Sequence, residues 1–346
     1  MSAEPLRVGV IGLGVGEQHA RAFAAHPDCR LVALCDLSET KLAQVAAHFP
    51  HVRRYVHASD LIEDPQVDVV AIASNDDHHA AQITHALGIG KHVFAEKPVC
   101  LAEAQLRDII AAWRRAKGAR LTTNTVLRRS PRFRWLKDAI TAGTLGKVYC
   151  IEADYVYGRL SKLTSGWRAE IPDYSVMLGG GIHMVDLALW LADSRPTEVT
   201  AYGSALGSTG TAFRGTDLVL ALVRFENGVL AKIGANFASM YPHYHRFVVH
   251  GTQATFENLP AAISPSARLW QGRDGGPPPE EVAAPYPAVN KGALVPAFVN
   301  AIRSGSAADV SEAEVFTGVA TCLAIDRSVS EGGPVAIRYD ELGIPS

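Results

Sequence analysis

The chain has 346 residues, 48% of them hydrophobic, with a formal net charge of -2. That length suits two domains with a core each. Near-neutral charge argues against a nucleic-acid surface, and no apolar run reaches the roughly eighteen residues a membrane-spanning helix needs. The five cysteines, Cys29, Cys35, Cys100, Cys150 and Cys322, have no metal-ligand spacing, so they read as reduced, mostly buried residues. No basic leader with a cleavable apolar stretch opens the chain, and a soluble, cytoplasmic protein is expected.

Short β-branched runs alternate with helical patterns from Leu6 to about Thr123, as in parallel βαβ units. Strands are expected at 6–11, 30–35, 52–56, 68–73, 91–95 and 119–123, and helices at 17–26, 38–48, 58–63, 77–88 and 102–117. The first domain is drawn as 1–124 and the second as 125–346. The second opens with a helix at 131–142 and a long strand at 148–157, followed by an apolar helix at 182–192. Strands at 197–204, 216–225, 229–237, 244–251 and 253–257, with an Asn227-Gly228 hairpin signal, predict an antiparallel sheet. Gly275 to Pro279 marks a loop; helices at 291–303 and 311–330 and a strand at 334–338 close the chain. The basic stretch Arg128–Arg134 reads mainly as a solvated helix start.

The first chemical motif is Gly12-Leu13-Gly14-Val15-Gly16, between an apolar run and an amphipathic segment, with Asp36 closing the next apolar run. Glycines make a tight strand-to-helix turn and let the backbone approach a pyrophosphate, while the helix N-terminus holds its charge. Asp36 can accept hydrogen bonds from both adenosine ribose hydroxyls and disfavours a 2′-phosphate, so NAD(H) is the expected cofactor. The turn is one residue short: Glu17 stands where the third glycine is usual, and Gly16 is expected to take that role.

The second motif is Glu96-Lys97-Pro98 at the end of a strand. A lysine there can reach a substrate hydroxyl or relay a proton, or it can merely pair with Glu96; position alone leaves both open. The third is Gly179-Gly180-Gly181-Ile182-His183, whose helix is apolar except for His183 and Asp186, three apart on one face. A lone buried histidine is usually a core residue, but the glycines, read as leaving room for cofactor or substrate, and Asp186 favour an acid/base role.

These residues, with Gly12-x-Gly14-x-Gly16-x-x-His19-Ala20, Ser74-Asn75-x-x-x-His79, Arg128-x-x-Pro131 and Gly143-x-x-Gly146-Lys147-Val148, resemble the glucose-fructose oxidoreductase / inositol dehydrogenase / rhizopine-catabolism (Gfo/Idh/MocA) family. The resemblance implies an α/β fold: an N-terminal Rossmann domain, then an α+β domain with an open, mainly antiparallel sheet that commonly builds dimers or tetramers. It implies Lys97 and His183 as catalytic residues, a cis Lys97-Pro98 bond, and Ser74, Asn75 and His79 near the nicotinamide, with Glu96 and Lys97 also on the cofactor. Many members carry an aspartate four residues before the histidine, where this chain has Gly179.

Between the motifs, Tyr155, Tyr157, Arg159, Trp167 and Arg168 read as substrate wall, since aromatic faces stack on sugar rings and arginine forks bind carboxylates or phosphates. Tyr155 fits a core position equally well, and the two arginines would suit an acidic sugar or a nucleotide-sugar phosphate. Asn124, Arg128 and Asp186 join Lys97 and His183 as candidate substrate contacts. His78-His79 and His243-x-His245 read as helix-start and strand residues rather than ligands, so no metal is expected. The expected function is NAD-dependent hydride transfer from a ring alcohol of a sugar or polyol. An NAD-dependent glycosidase and a non-catalytic NAD- or sugar-sensing regulator are the alternatives.

Overall fold

The computed structural model describes residues 4–260, 263–273 and 276–345. The chain forms two compact units, one made of residues up to Val126, Asn290–Phe316 and the chain from Tyr339, the other of Leu127–Val289 and Thr317–Arg338.

The first unit holds six parallel strands: β1 (Leu6–Ile11), β2 (Cys29–Cys35), β3 (Arg53–Tyr55), β4 (Val69–Ile72), β5 (His92–Ala95) and β6 (Leu121–Thr123), in the order β3-β2-β1-β4-β5-β6. Every residue of β4 is buried, as a central parallel strand requires when helices cover both faces. The crossover from β3 back past β1 to β4 makes a topological switch point, where such sheets bind ligands beyond the carboxyl ends of their strands. Helices Gly16–Ala24, Glu39–Ala46, Ala58–Glu63, Asp76–Gly88 and Glu103–Arg115 lie within two residues of the expected spans.

The chain returns to this unit late, which a single boundary at 124/125 does not capture. The helix Val295–Ser304 lays Phe298 against Phe94 of β5 at 5.7 Å, and Phe94 also meets Phe23 at 5.7 Å and His19 at 5.1 Å. Thr122 donates to the Val310 carbonyl at 2.8 Å. The late segment thus joins the first helix in covering Phe94 of β5.

The second unit is built on nine strands: β7 (Val148–Val156), β8 (Pro196–Ser204), β9 (Leu218–Phe225), β10 (Leu230–Asn236), β11 (Tyr244–Gly251), β12 (Ala254–Asn258), β13 (Ala267–Gln271), β14 (Glu280–Val282) and β15 (Val335–Ala336). Their order is β14-β13-β12-β11-β7-β10-β9-β8-β15, antiparallel throughout except for the β7–β10 pair. The fold is thus α/β, a parallel Rossmann sheet followed by a mixed, mostly antiparallel one. Gly228, at φ +84°, makes the expected β9–β10 turn. The helix Ile182–Ala192 packs on β7 and β10, where Ile151, Ala153, Ile233 and Ala235 are buried.

Strands β13 and β14 flank the stretch Gly275–Pro279 read from sequence as loop, where no strand was expected; Gly275 is outside the described residues. The basic stretch also departs from expectation, because Arg128 and Arg132 are fully buried. Arg132 donates to Asn258 Oδ1 at 2.9 Å and to the carbonyls of Ala284 and Pro265, tying the β12–β14 region to its own helix, Pro131–Thr141.

Phe298→Ala is expected to lower unfolding free energy by about 3–5 kcal/mol, as for other large aromatic deletions in cores. Urea titration measures it, and a loss below about 1 kcal/mol would show that the returning helix is not part of this core.

Candidate active site

In the first unit, the site begins where β1 turns into the helix Gly16–Ala24. Gly12 stands at φ +80°, and a Cβ there would lie 2.3 Å from the Ala73 carbonyl oxygen, so only glycine fits. A Cβ at Gly14 would meet nothing within 4 Å, which leaves this backbone open to a ligand. A Cβ at Gly16 would come within 3.1 Å of Val10 and 3.2 Å of Ala73. Gly16 therefore supplies the close helix–sheet packing expected of a third glycine. Glu17 turns onto Arg21 at 2.8 Å and Lys41 at 3.4 Å, and the Arg21 hydrogen bond holds its carboxyl below the usual range.

No side chain caps this helix, with Val15 at its N-cap; Gln18 N–H turns back to the Val15 carbonyl at 2.9 Å, and the N–H groups ahead of it stay available to an anion. Asp36 is fixed at the end of β2, where its Oδ2 accepts from Leu13 N–H at 2.7 Å and its Oδ1 from Ser38 N–H at 2.8 Å. Both oxygens keep lone pairs for ribose hydroxyls. The open Gly14 backbone, the uncapped helix and the anchored acid fit a dinucleotide.

Ser74, after β4, donates to Gln82 Oε1 at 2.7 Å, and Asn75 is the N-cap of the helix Asp76–Gly88. His79 is fully buried: its Nδ1 stands 2.7 Å from the Pro98 carbonyl and its Nε2 3.1 Å from that of Ser74. The ring thus ties the end of β4 to the turn after β5. Lys97, half-buried at that turn, precedes a cis bond to Pro98.

Glu96 faces inward. Its Oε1 lies 3.1 Å from His19 Nε2 and accepts from Asn124 Nδ2 at 2.8 Å, while Asn124 also donates to the Lys291 carbonyl at 2.9 Å. Burial pushes this carboxyl up, but the His19 hydrogen bond and the charges of Lys291, His19 and Lys97 outweigh it and hold the group well below the usual carboxylate range. Asn124 is fully buried in this network.

In the second unit, His183 opens the helix Ile182–Ala192 and is 6% exposed. The glycines before it form a π-helical turn, Met177–Gly181. They do not leave the room expected for cofactor or substrate, because neighbouring side chains fill it. A Cβ at Gly179 would lie 2.1 Å from the Tyr174 hydroxyl, one at Gly180 2.4 Å from the Tyr155 ring, and one at Gly181 2.7 Å from the Met177 sulfur. The turn is anchored by Ser175, which donates to Asp326 Oδ2 at 2.6 Å and accepts from Leu178 N–H at 3.0 Å.

Arg128 and Asp186 form a buried bidentate pair at 2.9 and 2.7 Å, with side chains only 2% and 5% exposed. Tyr155, also buried, stacks on His183 with ring centroids 6.0 Å apart. Tyr157 is half-buried, Arg159 exposed, and Trp167 and Arg168 half-buried. His243, which sequence reading left as a strand residue, joins this ring cluster 5.0 Å from Tyr155. The signal for it was the i, i+2 spacing with His245, which puts both rings on one face of an extended chain.

Residues 6–125 match the oxidoreductase family with an NAD-binding Rossmann fold, and residues 133–257 match the GFO/IDH/MocA C-terminal domain. The chain belongs to the Gfo/Idh/MocA family of NAD-binding oxidoreductases. Among curated relatives, it is 30% identical to myo-inositol 2-dehydrogenase of Thermotoga maritima over 256 residues, 72% of this chain and 73% of that protein. It is 31% identical to 1,5-anhydro-D-fructose reductase of Ensifer adhaerens over 201 residues, 57% of this chain and 58% of that one. The solved structure of levoglucosan dehydrogenase with NADH and levoglucosan shares the fold, with a TM-score of 0.82, 21% identity, and coverage of 96% of this chain and 100% of that one. NAD is the cofactor of the family's Rossmann domain.

Burial pushes the Asp326 carboxyl up from 3.8 to about 6, against the opposing Ser175 hydrogen bond. The fold therefore favours its protonated form; that contribution is complete below 3.8 and is lost as pH rises through about 6. Asp326→Asn is expected to be more stable than the parent at about pH 7.5, by about 1–3 kcal/mol, and to lose this advantage near pH 4. Urea unfolding at both pH values tests this, and an equal advantage at both would contradict the assignment.

Proposed function

We propose that this protein is an NAD(H)-dependent dehydrogenase that oxidises a ring secondary alcohol of a sugar, sugar derivative or inositol-like polyol. The observation that carries the reading is Lys97, half-buried at the carboxyl end of the parallel sheet that also bears the Gly12–Gly16 turn and Asp36. The names of the relatives, myo-inositol 2-dehydrogenase and 1,5-anhydro-D-fructose reductase, support the substrate class.

Bound NAD supplies the hydride acceptor at nicotinamide C4. The chain's own work is to orient the alcohol and take its proton. Lys97 donates to the carbinol oxygen and stabilises the negative charge that grows there as the C–H bond breaks. His183 accepts the hydroxyl proton; its Nδ1 is buried, so Nε2 is the accepting atom. The alcohol leaves as a ketone, its hydride on the cofactor and its proton on His183. Ser74, Asn75 and the His79-anchored turn border the nicotinamide half, and Tyr155 orients the His183 ring by stacking.

The outer face of the mixed sheet exposes Tyr202, Leu220, Leu222 and Leu230, neighbours across β8, β9 and β10. Such a patch suits an isologous contact between copies. A homodimer or homotetramer through this face is the expected state, and Leu222→Glu should shift light-scattering mass toward monomer. An unchanged mass would place the interface elsewhere.

Incubation with NAD and a panel of sugars, inositols and sugar acids should accumulate NADH. Lys97→Ala and His183→Ala should each cut kcat by about 100-fold or more while NAD affinity stays within about threefold. Wild-type turnover in both variants would refute the assignment. Glycosidic cleavage without net NADH would favour the glycosidase, and NAD binding with no hydride transfer to any ring alcohol would favour the regulator.

A further inference from the structure

The rings beside His183 continue outward as one platform. Tyr155 stacks on His183, and Tyr157, just past the end of β7, stacks on Tyr155 at 5.5 Å and 25°. His243 meets Tyr157 edge-on, 4.9 Å away at 85°. Burial falls along this series: His183 and Tyr155 are buried, Tyr157 is half-buried and His243 is exposed. The open rim is therefore aromatic and adjoins the histidine through a single ring.

One arginine lies on that rim, and a second stands within electrostatic reach of Tyr155. The Arg159 guanidinium lies over the Tyr157 ring at 5.2 Å. That of Arg168 lies over Trp167 at 4.0 Å, and its Nε donates to the Tyr174 hydroxyl at 3.1 Å. Among the described residues no carboxylate pairs with either, although Glu170 and Asp173 belong to the same stretch of chain. Arg128 shows the contrast, since Asp186 uses its N–H fork in the core. A guanidinium held over a ring face is positioned there without occupying its N–H donors, which leaves Arg159 and the terminal nitrogens of Arg168 able to bind an anion bidentately. Aromatic faces in turn bind the C–H faces of sugar and cyclitol rings.

We infer that the ring substrate carries an anionic group, a carboxylate or a phosphate, held by Arg159 with Arg168, while its ring stacks on the rim formed by Tyr157 and His243. This rests on the dehydrogenase reading and narrows it to acidic sugars or sugar phosphates. Arg159 and His243 become specificity residues: one reads charge, the other ring shape.

The test compares matched neutral and anionic rings at constant ionic strength: glucose and myo-inositol against glucuronate for the carboxylate and glucose 6-phosphate for the phosphate. One anionic ring should exceed its neutral counterpart in kcat/KM by about tenfold or more, the scale of a charge-assisted bidentate contact. In Arg159→Ala that ratio should fall to within about threefold of unity, with partial recovery in Arg159→Lys. His243→Ala should raise KM more than it lowers kcat. Calorimetric titration of the same anions into the protein with NADH gives a readout independent of turnover, and Arg159→Ala should weaken it by a similar factor. A ratio near unity in the wild type, or a ratio and affinity unmoved in Arg159→Ala, overturns this inference and leaves the dehydrogenase reading standing. Arg159-dependent binding of an anion with no NADH formed from any ring alcohol overturns the dehydrogenase reading instead.

Discussion

Close approach at positions without a Cβ shapes both units around their chemistry. In the parallel-sheet unit, Gly12 passes within a carbonyl's reach of the β4 end, and Gly16 lets its helix settle on Val10 and Ala73. These contacts put an uncapped helix start at the sheet's switch point. In the mixed-sheet unit, Gly179, Gly180 and Gly181 admit Tyr174, Tyr155 and Met177 against the π turn. A larger residue at any of these five positions would move a helix start, and with it the Gly14 backbone or His183. The glycines thus act through what they let in: backbone and strand side chains in one case, rings in the other.

Buried charge follows the same economy of position. Glu96 is enclosed, yet two nitrogen groups face its carboxylate and cationic side chains lie nearby. Taking an ion out of water costs several kcal/mol, which attraction offsets only where geometry is good and the remaining lone pairs are met. Glu96 meets those conditions one residue before Lys97, so the turn that carries the lysine is fixed from within. The Arg128–Asp186 pair does the same for the second unit, joining the turn Val126–Arg129 to the helix of His183. Such pairs are weak evidence of stability and better evidence of fixed geometry.

Much of this was legible in the sequence because periodicity records burial. The buried strands β1, β2, β4 and β5 read as apolar runs, and the helix Ile182–Ala192 as one apolar on all sides. The Asn227-Gly228 turn and the Gly12–Gly16 motif carry their backbone demands in the residue types themselves. Strands β13 and β14 were hidden because they are short, the last two at one side of the sheet and beside a proline-rich loop, where pairing partners decide the structure. The returning helix Val295–Ser304 was legible as a helix, but its destination depends on Phe94, about two hundred residues away in the chain. The filling of the Gly179–Gly181 turn was illegible for the same reason, since sequence shows a missing side chain and not what occupies its space.

The arginines separate structure from recognition more sharply than their motifs did. By residue type alone, Arg128, Arg132, Arg159 and Arg168 were equally able to bind an anion. Arg128 and Arg132 are buried with their donors directed to Asp186, Asn258 and backbone carbonyls. Arg159 and Arg168 instead rest on aromatic faces, where a cation gains attraction without occupying its N–H groups; Arg168 gives only Nε, to the Tyr174 hydroxyl. A core arginine must be satisfied by the fold, because an unpaired buried charge costs more than the fold can offset. An arginine at a rim can leave its donors to water until an anion displaces it. Burial therefore assigns Arg128 and Arg132 to holding the fold and leaves Arg159 and Arg168 within reach of solvent, a division that burial shows and composition does not.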